Sequence, residues 1–198
     1  MTETSDDALL ARQAGLQAEA DLVLEDLDLL RVLGTVGRPI RTGSSVLGLM
    51  VRRDIDVTSL CPTLDPGALL DAIHPFVTHP RVHRLAFRND TGHWNTGTAY
   101  PDGLYWRIGY RTDALEDWDL DLWFLREGTT QFDLRHIESL PPRLTRDARV
   151  AILRIKEAWA RLPAYGSEVH GYDIYEAVLD HGVETPEGFG AYLEQRRG

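Results

Sequence analysis

The sequence predicts an α/β (α+β) protein: a mixed, twisted sheet flanked by helices, followed by a C-terminal helical unit. Three observations predict it. Segments of strand-like alternation are interleaved with helical periodicity over the first 138 residues. The clearest strand, "DWDLDLWFLRE", alternates acidic and aliphatic residues. After "HIESLPPRL" the periodicity is helical only. These patterns place a core with its N-terminal helices at residues 1–138 and a helical unit, expected to pack on it, at residues 139–198.

The elements follow in order. From Asp6 to about Leu33 apolar residues recur at helical spacing, among them Leu9, Leu16, Ala20, Val23, Leu27 and Leu30. Asp6 or Asp7 suits the cap, and Gly34 with Gly37 marks the stop, which fits one long helix or two short ones. "RPIRTGS" reads as a short strand, "VLGLM" as a turn or a single helical turn, and "RRDIDVTSLC" as a half-buried strand. Pro66 opens a helix of about ten residues, expected to break near Pro75 or Pro80. "RVHRLAFRN" is the next strand. The Gly-, Asn- and Thr-rich stretch "DTGHWNTGTAYPDG" is long for a hairpin connection and forms a candidate functional loop. "LYWRIGYRT" and "DWDLDLWFLRE" complete the strands. Thr145 is the expected cap of the next helix, with "GYDIYEAVLDHG" and "TPEGFGAYLEQRR" completing the tail.

Composition narrows the function classes. The net charge of −10, from 21 basic and 31 acidic residues, argues against gripping long nucleic acid through its phosphates. A small nucleotide held by a local basic cluster remains compatible with it. All the basic residues except Lys156 are arginine. No segment approaches the roughly 18 consecutive apolar residues of a membrane span, and no membrane partner is expected. The acidic start "MTETSDDALLARQ" lacks the basic-then-apolar order of a signal peptide, so a cytoplasmic location is expected. The single cysteine, Cys61, agrees with that compartment and reads as a small buried residue.

The chemistry lies in the acidic positions on strands. With period two, Asp54 and Asp56 share one face while Ile55 and Val57 share the other. Asp119 and Asp121 likewise oppose Leu120 and Leu122. If the two strands are neighbours, three or four carboxylates converge, an arrangement that calls for a hard divalent cation such as Mg²⁺ or Mn²⁺. Upstream, Gly43 and Ser44 follow the short strand, where glycine lets backbone N–H groups approach a phosphate and serine adds a donor. A phosphate cradle beside such a cluster is the equipment of phosphoryl or nucleotidyl transfer.

"TGSSVLGLMVRRDIDV" resembles the signature of the DNA polymerase β-like nucleotidyltransferase superfamily: a strand, Gly-Ser, a helical turn, Asp-apolar-Asp, and a third Asp on a later strand. The resemblance covers roughly Val36 to Arg126. It implies that Asp54 and Asp56 bind metal, that Gly43 and Ser44 contact phosphate, and that Asp121 or Asp119 is the third carboxylate, with Asp121 preferred. It also implies the nucleotidyltransferase fold, with Mg²⁺ or Mn²⁺ as cofactor and an NTP as substrate. The leading helix and helical tail resemble the layout of small bacterial members, such as antibiotic nucleotidyltransferases. Where many members have a small residue before the Asp pair, this chain has Arg52 and Arg53. Arg53 is a candidate phosphate contact.

The expected activity is transfer of a nucleoside monophosphate from an NTP to a hydroxyl or phosphate of a small molecule or protein. The alternative is a non-catalytic nucleotide-binding or protein-interaction module on the same fold, a sensor or a toxin–antitoxin partner. Arg84, Arg88, Arg107 and Arg111 recur on strands and read first as a solvated face, with a triphosphate contact as the alternative. Tyr105, Trp106 and Tyr110 read as sheet packing. His74, His79 and His83, separated by Pro75 and Pro80, lack regular ligand spacing. His93 and Trp94 are candidates for stacking on a base or acceptor, and Tyr172 and Asp173 for lining a pocket.

Overall fold

A computed structural model describes residues 5–96, 101–129 and 131–197. In chain order the elements are α1 (Asp6–Asp26), α2 (Leu29–Leu33), β1 (Arg38–Thr42), α3 (Ser44–Leu47), β2 (Asp54–Cys61), α4 (Pro66–Val77), β3 (Val82–Asp90), β4 (Gly103–Arg111), β5 (Asp117–Arg126), α5 (Phe132–Ser139), α6 (Arg146–Trp159), α7 (Gly171–His181) and α8 (Pro186–Arg197). None of the described helices is long and apolar enough to cross a membrane. The chain divides into two compact units: residues 18–46 with 53–138, and residues 1–17 with 47–52 and 139–198.

The sheet unit holds five strands in the order β1-β2-β5-β4-β3, with β2 and β5 parallel and the other neighbours antiparallel. Its apolar face is fully buried at Ile55, Val57, Ile108, Leu120, Leu122 and Phe124. Helix α2 meets the edge strand β1, α4 meets the opposite edge strand β3, and the two helices touch each other. They bury Leu29, Leu33, Leu69, Ile73 and Phe76. The opposite side carries the four aspartates at one end and Leu60, Trp123 and Leu125 further along the strands.

Several elements differ in detail from the sequence reading. Ser5 rather than Asp6 or Asp7 caps α1, its Oγ accepting the Ala8 N–H at 3.3 Å. The N-terminal helical stretch is one long helix and one short one, divided at Asp28, whose φ of 45° lies in the left-handed region. Aspartate tolerates that conformation better than most residues because its short side chain bonds locally. Pro75 does not break α4, which runs on to Val77. It lies in the last turn, where a lost N–H and a crowded carbonyl cost least, and the helix stops at Thr78. In β2 the alternation of exposure holds only for the first residues, because Val57 to Cys61 are all buried. Thr58 donates to the buried Gln131 at 2.9 Å, which satisfies its hydroxyl away from water.

The helical unit has a separate core. Leu47, Leu49, Ile152, Ile155, Ile174 and Phe189 form its centre, and Trp159 meets Phe189 edge-on at 5.0 Å. Thr145 caps α6 as expected, accepting from Ala148 N at 3.2 Å. Asp173 lies at the start of α7, where it accepts from His170 N at 2.8 Å and pairs with Arg196 at 3.1 Å. It therefore serves the helix start and an ion pair within this unit.

Cys61 closes β2 with no exposed surface. Burial, aided by the Glu127 carboxylate, pushes its thiol up to about 11. The folded state thus keeps a proton that an unfolded thiol releases near pH 8.5, so this contribution to stability is complete below that pH and is lost as pH rises towards 11. Alkylation by iodoacetamide at pH 8 should be slower in the native protein than in urea by at least about a hundredfold. Comparable rates in the two states would show that the thiol is accessible and ordinary.

Candidate active site

The open face of the sheet is built by register. In the β2–β5 pairing Asp54 lies opposite Asp119 and Asp56 opposite Asp121. On the far side of β2, Thr42 lies opposite Asp56. On the far side of β5, Arg107 lies opposite Asp121 and Gly109 opposite Asp119. Two neighbouring strands thus bring the four aspartates singled out in the sequence onto one face, each partly exposed.

The turn after β1 adjoins them. Because β1 runs antiparallel to β2, its last residue, Thr42, ends level with Asp56, and Gly43 follows with φ of 67°. A Cβ at Gly43 would stand 2.0 Å from Asp56 Oδ2, so only glycine fits beside that carboxylate. Ser44 opens α3 and is 6% exposed, and its Oγ is buried with no hydrogen-bond partner. A buried, unpartnered hydroxyl is a costly feature in a fold that satisfies most of its polar groups. Its neighbour Ser45 accepts from Arg41 Nε at 2.9 Å.

The arginines read first as a solvated face are partly engaged. Arg84 donates to Asp119 Oδ1, and Arg107 Nη2 donates to Asp119 Oδ2 at 2.9 Å. Arg107 Nε also lies 3.6 Å from Asp121 Oδ1, which accepts the Tyr105 hydroxyl at 2.5 Å. The hydrogen bond to Asp119, with the nearby charges of Asp121 and Asp119, holds the Arg107 guanidinium more firmly protonated than usual despite its partial burial. Burial first, and then the bond to Asp121, raise Tyr105 well above the ordinary phenol range, so it stays a donor. Tyr105 therefore does more than pack. The strand alternation held the signal for these contacts, but only the register shows which aspartate each arginine meets. Gly109 makes room for the pair, since a Cβ there would lie 3.0 Å from the Arg84 Cβ.

Other candidates lie elsewhere or have other partners. Arg53 is held in ion pairs with Glu19 at 3.1 Å and Glu116 at 3.2 Å. His79 faces Asp26 at 3.5 Å and His83 faces Asp117 at 3.4 Å. Trp94 is 62% exposed beside His93, in a loop of which residues 97–100 lie outside the described residues. Tyr172 stacks on His170 at 5.2 Å.

Among the described residues, no three His, Cys, Asp or Glu side chains gather as metal ligands. The oxygens of Asp119 and Asp121 are turned to Arg84, Arg107 and Tyr105. In kind, however, the donors fit a hard divalent cation: they are all carboxylate oxygens on two adjacent strands. The unpartnered Ser44 hydroxyl next to them is a donor of the kind a phosphate oxygen would engage.

Gly43 gives a direct test of this geometry. Gly43→Ala should destabilise the protein by about 2–3 kcal/mol, from left-handed strain and the clash with Asp56. Gly15→Ala in α1, where nothing lies within 4 Å of the new Cβ, should stabilise by about 0.5–1 kcal/mol. Urea melts of both variants check the pair.

No protein-family model and no curated protein matches the chain by sequence. By structure it is similar to several nucleotidyltransferases. The RNA terminal uridylyl transferase Cid1 superimposes with a TM-score of 0.59 at 15% identity, over 82% of this chain and 46% of that one. A second structure of the Cid1 poly(U) polymerase gives 0.57 at 13% identity, over 89% and 55%. A cytoplasmic RNA terminal U-transferase gives 0.53 at 16% identity, over 82% and 46%. The chain thus spans about half the length of these structures. Its fold, a five-stranded mixed sheet flanked by helices, is the fold of nucleotidyltransferases.

Proposed function

We propose that this chain transfers a nucleoside monophosphate from an NTP to a hydroxyl or phosphate of a small molecule or protein. The observation that carries the reading is the register that sets Asp54 and Asp56 beside Asp119 and Asp121, next to the Gly43–Ser44 turn. Asp54, Asp56 and Asp121 would hold a divalent cation, Mg²⁺ or Mn²⁺. When bound, such a cation neutralises the triphosphate and stabilises the departing pyrophosphate. Asp121 is favoured over Asp119 because it lies level with Asp56 and the phosphate turn, whereas Asp119 is bound by two guanidiniums.

The chain's own groups have definable tasks in this reading. The Gly43 backbone and the Ser44 hydroxyl bind phosphate oxygens, the latter gaining the partner that it lacks. The acceptor oxygen forms a bond to the α-phosphorus, the bond to the pyrophosphate oxygen breaks, and the acceptor proton passes to a carboxylate of the face. Cid1 itself is an RNA terminal uridylyl transferase. The net charge of −10 makes a long RNA a poor acceptor for this chain.

A second reading has an observation of its own. Arg84 and Arg107 already neutralise Asp119 and Asp121, as befits a non-catalytic nucleotide-binding module. Calorimetric titration with Mg-ATP and Mg-UTP should give binding at millimolar concentration or tighter. Asp54→Asn and Asp56→Asn should each weaken it by at least about tenfold. Absent binding, or binding untouched by both substitutions, would remove the transfer reading. Pyrophosphate release with a panel of hydroxyl and phosphate acceptors, short RNA included, separates a transferase from a binding module.

A further inference from the structure

The carboxylate face carries cations of its own. Two guanidiniums converge on Asp119, and one of them, Arg107, also faces Asp121 at 3.6 Å. Both arginines are about half exposed, at 51% and 44% of their side-chain surface. Much of each side chain therefore meets water, and the Arg107 Nε beside Asp121, though buried, makes no hydrogen bond that would have to be given up. Tyr105, in contrast, is held at its ring: Trp123 lies against it at 4.9 Å in a tilted arrangement, and the Arg88 guanidinium sits over it at 4.7 Å. The hydroxyl thus stays on Asp121 while the guanidinium is free to leave.

We propose that Arg107, assisted by Arg84, is a displaceable counter-ion of this face. It holds Asp119 and Asp121 when no divalent cation is bound, and it competes with a cation for the same carboxylates. The inference rests on the cation site of the reading above. Arg107 acts on the cation only through the aspartates, so it is a positioning residue that sets how much cation is needed to occupy the site. Coulomb's law gives the direction. Removing a positive charge 3.6 Å from Asp121 and hydrogen-bonded to its neighbour Asp119 raises the affinity of the face for another cation.

The test is a titration of the full chain with Mn²⁺ alone, free Mn²⁺ being counted by electron paramagnetic resonance. Arg107→Gln should bind Mn²⁺ about tenfold more tightly than the wild type. Arg107→Lys keeps the charge but loses the fork, so its affinity should fall between the two. A merely structural role would weaken binding in both variants. Asp54→Asn in the Arg107→Gln background should abolish the gain. Thermal melts show which variants fold; should Arg107→Gln fail to, Arg84→Gln serves instead, with a smaller gain expected. If the folded variant binds Mn²⁺ no better than the wild type while Asp54→Asn weakens the wild type, the counter-ion role is overturned and the cation site stands. If neither the wild type nor the Gln variants bind Mn²⁺, the cation site falls and the counter-ion role falls with it.

Discussion

Parallel pairing of β2 with β5 in a register that sets like charges side by side is the constraint on which the sheet depends. Neighbouring strands lie about 4.8 Å apart. At that spacing two carboxylates repel by about 3 kcal/mol at an effective dielectric constant of about 20. A slip of one residue would separate them, but it would turn the apolar set of the strand that slips, Ile55 and Val57 of β2 or Leu120, Leu122 and Phe124 of β5, from the buried face to the opposite one. Each of those side chains gains about 1.5–3 kcal/mol from burial, while Arg84 and Arg107 lessen the repulsion on the other face. The apolar face therefore sets the register, and the polar face has to accommodate the carboxylates that result.

The accommodation comes from the opposite edge of the sheet. Strands β3 and β4 bring Arg84 and Arg107 to Asp119 and Asp121, and Tyr105 adds a neutral donor to Asp121. On the β1 side Asp56 faces the Gly43 turn, where the missing side chain leaves the place that Oδ2 occupies. The face is thus asymmetric: guanidiniums crowd the β4 side, and a backbone turn with a buried hydroxyl borders the β1 side. On the proposed reading, a phosphate would bind at the second border. A cation arriving with it would meet the carboxylates between the two.

Much of this was legible before any coordinates. Period-two alternation at "DIDV" and "DLDL" separates acids from aliphatics, while the pairing of the two strands is seen only in the sheet. The four aspartates and the Gly43–Ser44 turn were readable for that reason. The roles of Arg84, Arg107 and Tyr105 were not, because a side chain on a strand reveals its face and not its cross-strand partner. A bulge between Val82 and Arg84 shifts the β3 register, and no local pattern announces it. The division of the N-terminal helices at Asp28 was hidden likewise, since a left-handed aspartate leaves the apolar periodicity almost unbroken.

The arginine-rich composition carries no functional weight as a whole, yet two positions show where the choice of cation is chemical. Asp119 and Asp121 stand two residues apart on one strand, about 6.6 Å along it. Arg107 reaches both because a guanidinium presents donors along a rigid planar fork, 2.9 Å from one carboxylate and 3.6 Å from the other. The single point charge of a lysine would have to choose between them. Lys156 is the converse case. It is buried at 3% exposure, and its Nζ donates to the Leu49 carbonyl at 2.7 Å and to the Tyr175 hydroxyl at 3.3 Å. Burying an ammonium is costly unless its hydrogens find acceptors, and these two neutral acceptors suit its compact tetrahedral donors. The larger planar guanidinium would need more volume and would bring donors with no acceptor to meet. The one lysine in the chain therefore stands where an arginine would be too large, and Arg107 stands where a lysine would reach too little.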